Sequence, residues 1–407
     1  MRSRITLLTL TGALTVALAA CGTPSAEPSS TGTTDDGHGD IAGAEEVAEP
    51  QLGLTSIDPE GVVTHLDLLD ESVTHIGEIP APTETTTDGR YLFAQISDGV
   101  EIVDSGVWTW DHVDHFHYYR AEPALLGAVD GEGDATIATT NLSTTGGTGI
   151  SFAGSGDAVL LDTQALSKGE ISELFRIERE PHDGLVVPVG SFALVTEATD
   201  GIGTSVRGYT AAGEETGLEE PCVAPVGTIT TRVGAVIGCE DGALLAHVDG
   251  DELKVERIPY PAGTTAPAVE SFDNREGRPT VAGLAGSEGI WMLDTRARSW
   301  TLLPSPAPLA QVAAVDDEDG HLLALAQDGR VLVLDDESGA MLAETAPVVA
   351  ESLAAGMAPT LIADQHRAYL SAPAEHRLYE IDYADAARVA RTFDTATEPA
   401  FVAETGR

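Results

Sequence analysis

Short runs of alternating apolar and polar residues, separated by turn sequences such as DG, GDG, SG and EG, recur along most of this chain. Clear examples are DGRYLFAQISDGVEIVDSG at 88–106 and DGHLLALAQDGRVLVLDDESG at 319–339. Alternation with a period of two residues, bounded by turn residues, is typical of β-strands joined by hairpins. Almost no segment has a helical period, so the pattern predicts an all-β protein.

The runs repeat as a unit of about 40 residues, in which a Pro-containing opening segment precedes the strands. Short strands at even spacing over roughly 350 residues predict a β-propeller. The repeats give eight four-stranded blades, with seven as the alternative because the divisions near 140–160 and 346–365 are indistinct. The prolines that open the units are Pro80, Pro123, Pro181, Pro221, Pro267, Pro308, Pro359 and Pro399.

The two ends of the repeated region are incomplete in complementary ways. The last opening segment, TEPAFVAETGR, has no strands after it, and the strands GLTSIDPE and GVVTHLDLL have no opening segment before them. We therefore predict that the C-terminal strand pairs with the N-terminal strands, which closes the ring and leaves no open sheet edge. Residues 51–407 are accordingly one domain.

The N-terminus has the organisation of an export signal. Arg2 and Arg4 precede an apolar stretch over residues 5–17 that is too short to span a bilayer comfortably. The sequence LAAC that ends at Cys21 is similar to a bacterial lipobox, which implies lipidation of that cysteine; a plain secretory signal is the alternative. We predict a signal peptide at 1–20, a flexible acidic linker at 21–50, and a protein lipid-anchored to the outer face of the cell membrane.

The chain carries 21 Lys and Arg against 66 Asp and Glu, for a net charge of −45. Such a field repels phosphate backbones and excludes nucleic acid as a partner. An acidic surface favours cations. An acid-rich or salt-adapted lineage would also make any exported protein acidic, and this explains the larger share of the charge.

The segment VWTWDHVDHFHYY at 107–119 holds three of the eleven histidines within six residues. Residues two apart on a strand share a face, so we expect His115 and His117 to point the same way. A His-x-His pair on a strand is half of a Zn²⁺ site. His112 and Asp114 would take the opposite face unless a bulge turns His112 inward, and Asp111 and Asp114 would orient the histidines through hydrogen bonds.

The other half of such a site needs further ligands. His182, in EREPHDG, opens a later unit that aligns with YRAEPALLGAV, so both regions could meet at one mouth of the channel. Asp183 and Glu404 are possible carboxylate ligands. The alternative interpretation is an aromatic, polar strand edge in which the histidines are structural.

With Cys21 assigned to lipid, Cys222 and Cys239 remain. The space outside the membrane is oxidising, so a disulfide between them is the default, and thiolate ligation of a metal is the alternative. A loop of about 17 residues closed by a disulfide stabilises the fold by about 3 kcal/mol.

Three segments, WTWDHVDHFHYYRAEP, EREPHDG and GCEDG, together resemble the AztD-type extracytoplasmic zinc metallochaperones over nearly all of residues 50–407. The resemblance implies an eight-bladed β-propeller that binds Zn²⁺ and delivers it to the solute-binding protein of a zinc ABC transporter, as a monomer and not as an enzyme. The positions that match are His112, His115, His117 and His182, with Cys222 and Cys239 as the paired cysteines.

Two features depart from that pattern. Val226 stands where a His is expected shortly after the first cysteine, so a carboxylate such as Glu404 or Asp183, or water, would have to complete the ligand shell. The N-terminal arm keeps only His38 among its acids. Two other functions stay open on the residues alone, namely a metal-dependent hydrolase or lactonase and a cell-surface interaction propeller.

Overall fold

The computed structural model describes residue 41 and residues 43–111 and 115–407. The predicted signal peptide, Cys21 and most of the predicted linker therefore lie outside the described residues, as do His112 and Asp114. The described part of the chain is all-β, as predicted, with two short helices, α1 (Thr163–Leu166) and α2 (Ala350–Ala354). None of its helices is long and apolar enough to cross a membrane.

Strands occupy most of the described chain. The first fourteen are β1 (Glu45–Val47), β2 (Gly53–Ile57), β3 (Val62–Asp67), β4 (Val73–Glu78), β5 (Glu84–Thr87), β6 (Tyr91–Ile96), β7 (Gly99–Asp104), β8 (Val107–Asp111), β9 (Phe116–Arg120), β10 (Ala124–Asp130), β11 (Ala135–Ala138), β12 (Gly147–Phe152), β13 (Asp157–Asp162) and β14 (Glu173–Glu178). The next ten are β15 (Val186–Val189), β16 (Phe192–Thr199), β17 (Ile202–Thr210), β18 (Glu215–Pro221), β19 (Val226–Thr231), β20 (Gly234–Cys239), β21 (Gly242–Asp249), β22 (Glu252–Pro259), β23 (Thr280–Leu284) and β24 (Ile290–Asp294). The last ten are β25 (Ser299–Leu303), β26 (Leu309–Ala314), β27 (His321–Ala326), β28 (Val331–Asp335), β29 (Met341–Glu344), β30 (Leu361–Ala363), β31 (Ala368–Ala372), β32 (Arg377–Asp382), β33 (Arg388–Asp394) and β34 (Phe401–Thr405).

These strands form nine antiparallel sheets in the described chain, seven with four strands and two with three. Most sheets take their strands in sequence order, as in β11–β14, β15–β18, β19–β22, β26–β29 and β30–β33. Successive hairpins of this kind are what the alternating runs and turn residues predict. The arrangement is consistent with the predicted propeller-like fold.

One sheet joins the two ends of the described chain. The C-terminal strand β34 pairs with β2, and Gly53 lies opposite Thr405 in the register. The order of this sheet is β34-β2-β3-β4. The hydroxyl groups of Thr55 and Thr405 are 3.1 Å apart in its buried interior. The predicted pairing of N-terminal and C-terminal strands is confirmed.

Hydrophobic cores lie between neighbouring sheets. Among the described residues, each sheet except the one that contains β1 shares one core with the preceding sheet and another with the following one. The succession returns to its start, because Tyr369 of β31 and Phe393 of β33 pack with Leu54 of β2. Burial of each large apolar side chain stabilises the fold by about 1.5–3 kcal/mol.

The sheet β1-β9-β8 interrupts the repeat. Strands β8 and β9 are an insertion in the sequence between β7 and β10. Those two flanking strands pair directly with each other in a different sheet. The hairpin then takes β1 as its third strand. The described part of the histidine-rich segment, with His115 and His117, therefore lies on this inserted hairpin and not on a strand of the regular repeat.

A disulfide joins Cys222 and Cys239, with 5.2 Å between their Cα atoms. Cys222 follows β18 and Cys239 ends β20, so the bond links two neighbouring sheets. Both cysteines are buried within the core that these sheets share. The default prediction of a disulfide is confirmed.

Replacement of both cysteines by alanine should lower the free energy of unfolding by about 3 kcal/mol, because the unfolded chain loses a covalent loop constraint. Urea denaturation of the two proteins measures the difference. Two free thiols found by alkylation and mass spectrometry in the native protein would contradict this account.

Candidate metal centre on the inserted hairpin

The base of the inserted hairpin is fixed by aromatic packing and a buried ion pair. Trp108 of β8 stacks on Tyr119 of β9, with 5.3 Å between the ring centroids. The Arg90 guanidinium lies 3.8 Å over the Trp108 ring. Asp104 holds that guanidinium through two hydrogen bonds of 3.0 and 2.7 Å. A bidentate ion pair and a cation–π contact orient the two strands before they leave the core.

The two histidines predicted to pair come together at the outer part of the hairpin. His117 is the second residue of β9, opposite Trp110 of β8, and His115 directly precedes β9. Their Nε2 atoms are 2.9 Å apart and their ring centroids 4.7 Å apart. Phe116, between them in the chain, is 56% exposed. The imidazoles thus converge while the intervening side chain faces solvent.

This spacing is close to what a zinc ion requires. Two nitrogens that each lie about 2.0–2.1 Å from a tetrahedral Zn²⁺ are about 3.3–3.4 Å apart. The Nε2 atoms need to separate by only about 0.4 Å to share such an ion. Both imidazoles are reached from solvent, since His115 is exposed and His117 is partly exposed.

A carboxylate orients one of the two rings. Oε1 of Glu46, on β1, lies 2.7 Å from Nδ1 of His117. Because an ionised carboxylate only accepts, Nδ1 carries the proton and the Nε2 lone pair of a neutral ring faces His115. A carboxylate that accepts from the second nitrogen of a histidine is the common supporting contact of protein metal sites.

Glu46 is absent from the ligands and supporting residues that the sequence predicted. It lies in the sequence EEV at 45–47, within the predicted linker, where nothing but its acidity singles it out. Its function depends on the pairing of β1 with β9, which places Glu46 opposite Tyr119. The end of the predicted linker is therefore part of the hairpin sheet.

His182 has both ring nitrogens engaged elsewhere. Its Nδ1 donates to the carbonyl oxygen of Glu180 at 2.6 Å, and its Nε2 accepts from the Thr196 hydroxyl at 2.8 Å. The same hydroxyl accepts from the backbone N–H of Leu185. His182 is buried. These contacts tie the loop before β15 to β16, which is a structural role.

The two carboxylates predicted as possible ligands, Glu404 and Asp183, lie on other elements of the fold. Glu404, on β34, is fully buried and lies 3.1 Å from Nη1 of Arg407. Asp183 is exposed beside His182, in the loop before β15. Asp111 ends β8, opposite Phe116. Within the described ranges, no three His, Cys, Asp or Glu side chains form a group that could hold a metal ion. The predicted convergence of His182, Asp183 or Glu404 on His115 and His117 is therefore not seen.

Several acids around Arg407, a half-buried residue at the end of the chain, have shifted pKa values. Burial raises the pKa of Glu404 to about 8, and the Arg407 guanidinium opposes the shift only in part. Burial likewise raises the pKa of Asp88 and Asp273 to about 7. Arg407 lies 2.7 Å from a carboxylate oxygen of Glu276. The residues near the C-terminus thus form an acid-rich, largely buried cluster. It adjoins the hairpin, because the Thr109 hydroxyl of β8 donates to the Gly406 carbonyl oxygen at 2.7 Å.

No protein-family profile matches the chain. No curated protein matches it either. Solved structures do match it, at low sequence identity. The dihydro-heme d1 dehydrogenase NirN in complex with DHE has a TM-score of 0.55 at 13% identity, over 88% of this chain and 76% of that one.

Two further matches are stronger and specify the fold. The crystal structure of Citrobacter koseri AztD has a TM-score of 0.74 at 19% identity, over 88% of this chain and 99% of that one. The apo AztD structure from the same organism has a TM-score of 0.73 at 17% identity, with coverage of 88% and 98%. The chain has an AztD-type fold.

His182→Ala should lower the free energy of unfolding by about 1–3 kcal/mol, because it leaves the Glu180 carbonyl and the Thr196 hydroxyl without their buried partner. Zinc binding by the hairpin should be unchanged. The exposed His366→Ala variant is the control for stability. Loss of tight zinc binding at unchanged stability would instead identify His182 as a ligand.

Glu404→Gln should flatten the pH dependence of stability. The folded carboxyl takes up its proton at about pH 8 and its ordinary value is 4.5, so its contribution is complete below pH 4.5 and is lost as pH rises toward 8. The variant should remove up to about 1.4 kcal/mol per pH unit from the slope of the unfolding free energy between these limits. Urea unfolding at pH 5, 6, 7 and 8 measures the slope, with the exposed Glu60→Gln as control. An unchanged slope would contradict the assignment.

Proposed function

We propose that the protein is a zinc-binding metallochaperone that delivers Zn²⁺ to the solute-binding protein of a zinc ABC transporter. The observation that carries the proposal is the convergence of His115 Nε2 and His117 Nε2 at 2.9 Å, supported by the Glu46 carboxylate on His117. The resemblance of the histidine-rich segment to the AztD-type metallochaperones and the AztD-type fold support the same conclusion.

In this proposal His115 and His117 are two of the zinc ligands. His112, three residues before His115, is the proposed third, and water or a ligand from the receiving protein completes the tetrahedron. A site with few protein ligands on an exposed hairpin suits exchange, because an incoming ligand can bind the ion before the first histidine leaves. The function proposed is accordingly delivery and not catalysis.

The scaffold of the proposal is a propeller of eight blades. The closed succession of shared cores among the eight sheets supports this count, and the sheet β1-β9-β8 is then an addition to the second blade. Lipidation at Cys21 would hold the protein at the outer face of the cell membrane, where zinc enters the transporter. The acidic surface, with its net charge of −45, would help to concentrate cations there.

A competitive titration with a chromophoric chelator tests the site. The protein should bind one tight equivalent of Zn²⁺, and the His115→Ala/His117→Ala variant should lose it, because two of the ligating nitrogens are gone. The thermal melting of the metal-free form should barely change, since neither ring lies in a core. The His75→Ala/His366→Ala variant, which removes two exposed histidines elsewhere, is the matched control. Equal binding by the hairpin variant and the wild type would refute the assignment.

A further inference from the structure

Strand β1 is a small attachment at the edge of the hairpin sheet. It has three residues, its one partner among the described strands is β9, and its first two residues are exposed. Its side-chain contacts are few: Glu46 reaches His117, and Glu45 lies 3.4 Å from Arg120. Elements with few buried contacts and exposed backbone pairing open at low free-energy cost compared with the core. β1 can therefore leave β9 without disturbing the rest of the fold.

Strand β1 nevertheless contacts the less exposed of the two imidazoles, that of His117. A neutral histidine can carry its proton on either nitrogen, and only the nitrogen without the proton can bind a metal. The Glu46 carboxylate holds the proton on Nδ1 of His117, so the lone pair on Nε2 faces His115.

The same contact contributes little to folding. The Glu46 side chain is 58% exposed and that of His117 is 18% exposed. Ion pairs and hydrogen bonds at such positions are weakened by solvent and by the entropy of the ordered side chain. A role in orienting His117 and a role in stability can therefore be separated by experiment.

We infer that Glu46 is a positioning residue for the histidine pair, and that the docking of β1 on β9 sets how tightly the pair holds a metal ion. The second part rests on the proposed function. Loss of β1 from β9 would release the proton of His117 from Nδ1 and weaken the site.

The first experiment compares Glu46→Ala with the matched control Glu45→Ala, which removes a carboxylate from the adjacent position of β1. In a competitive zinc titration, Glu46→Ala should weaken binding about 10–100-fold, the usual effect of removing a carboxylate behind a ligating histidine. Glu45→Ala should bind like the wild type, and Glu46→Gln, which keeps an accepting oxygen, should recover part of the loss. Wild-type affinity in Glu46→Ala would overturn the inference.

A second readout does not depend on zinc. The ¹⁵N chemical shifts of the imidazole nitrogens report which one carries the proton, and a His117→Asn variant assigns the signals. In the metal-free wild type and in Glu45→Ala, the His117 proton should reside on Nδ1, whereas in Glu46→Ala it should move toward Nε2. An unchanged distribution in Glu46→Ala would overturn the positioning role even if zinc affinity fell. If the wild type binds no zinc at the hairpin, the proposed function fails, and this measurement still decides the role of Glu46.

A third variant isolates the docking of the strand. Val47→Pro leaves Glu46 in place but removes a backbone N–H and disfavours strand pairing with Tyr118. It should weaken zinc binding and shift the His117 proton as Glu46→Ala does. A Val47→Pro protein that matches the wild type in both readouts would overturn the link between the docking of β1 and the site.

Discussion

Every regular sheet of this protein has to bury both of its faces, and the rest of the structure depends on that constraint. Strand β6 shows it directly. Tyr91 and Phe93 pack into the core shared with the following sheet, while Leu92 and Ala94, on the other face, pack into the core shared with the preceding one. A sheet at either end of the succession would expose one apolar face to water. Because β34 and β2 belong to the same sheet, the first and last sheets of the succession pack against each other, and neither exposes an apolar face.

The same constraint separates the scaffold from the proposed metal site. Side chains that fill the cores cannot move without opening a cavity, which is costly in a closely packed interior. The histidine pair avoids that cost because it lies on a hairpin outside the succession of cores. The base of the hairpin is held by the Arg90–Asp104 ion pair and by the stacking of Trp108 on Tyr119. Its outer part, where His115 and His117 meet, is open to solvent. A protein that exchanges its cargo with another protein needs both properties.

Much of the fold follows from the sequence, because hairpins leave local signals. Alternating residues and turn residues predicted the strands, the incomplete ends predicted the pairing of β34 with β2, and the export context predicted the disulfide. The meeting of His115 and His117 followed from the two-residue period of a strand. Most of these features depend on residues that are close in sequence. The exception is the long-range pairing of β34 with β2, which joins the last sheet to the first.

The sequence could not predict what depends on unexpected long-range contacts. Glu46 approaches His117 across 71 positions, through a strand that carries no apolar signal in an acidic segment. The contact of the His182 Nε2 with the Thr196 hydroxyl, on the next strand, likewise has no signal in the sequence. Strands β8 and β9 have the same alternation as the strands around them, so the sequence does not distinguish the inserted hairpin from the regular repeat. In each case the deciding partner is fixed by the fold and not by spacing.

The central claim is that His115 and His117 hold the zinc ion together. The most direct test is a crystal structure of the zinc-loaded protein, with anomalous diffraction data recorded on both sides of the zinc absorption edge. The account predicts an anomalous peak that lies between the two Nε2 atoms, about 2.0–2.1 Å from each, with Glu46 still on Nδ1 of His117. A zinc peak elsewhere, with the two imidazoles still in direct contact, would contradict it.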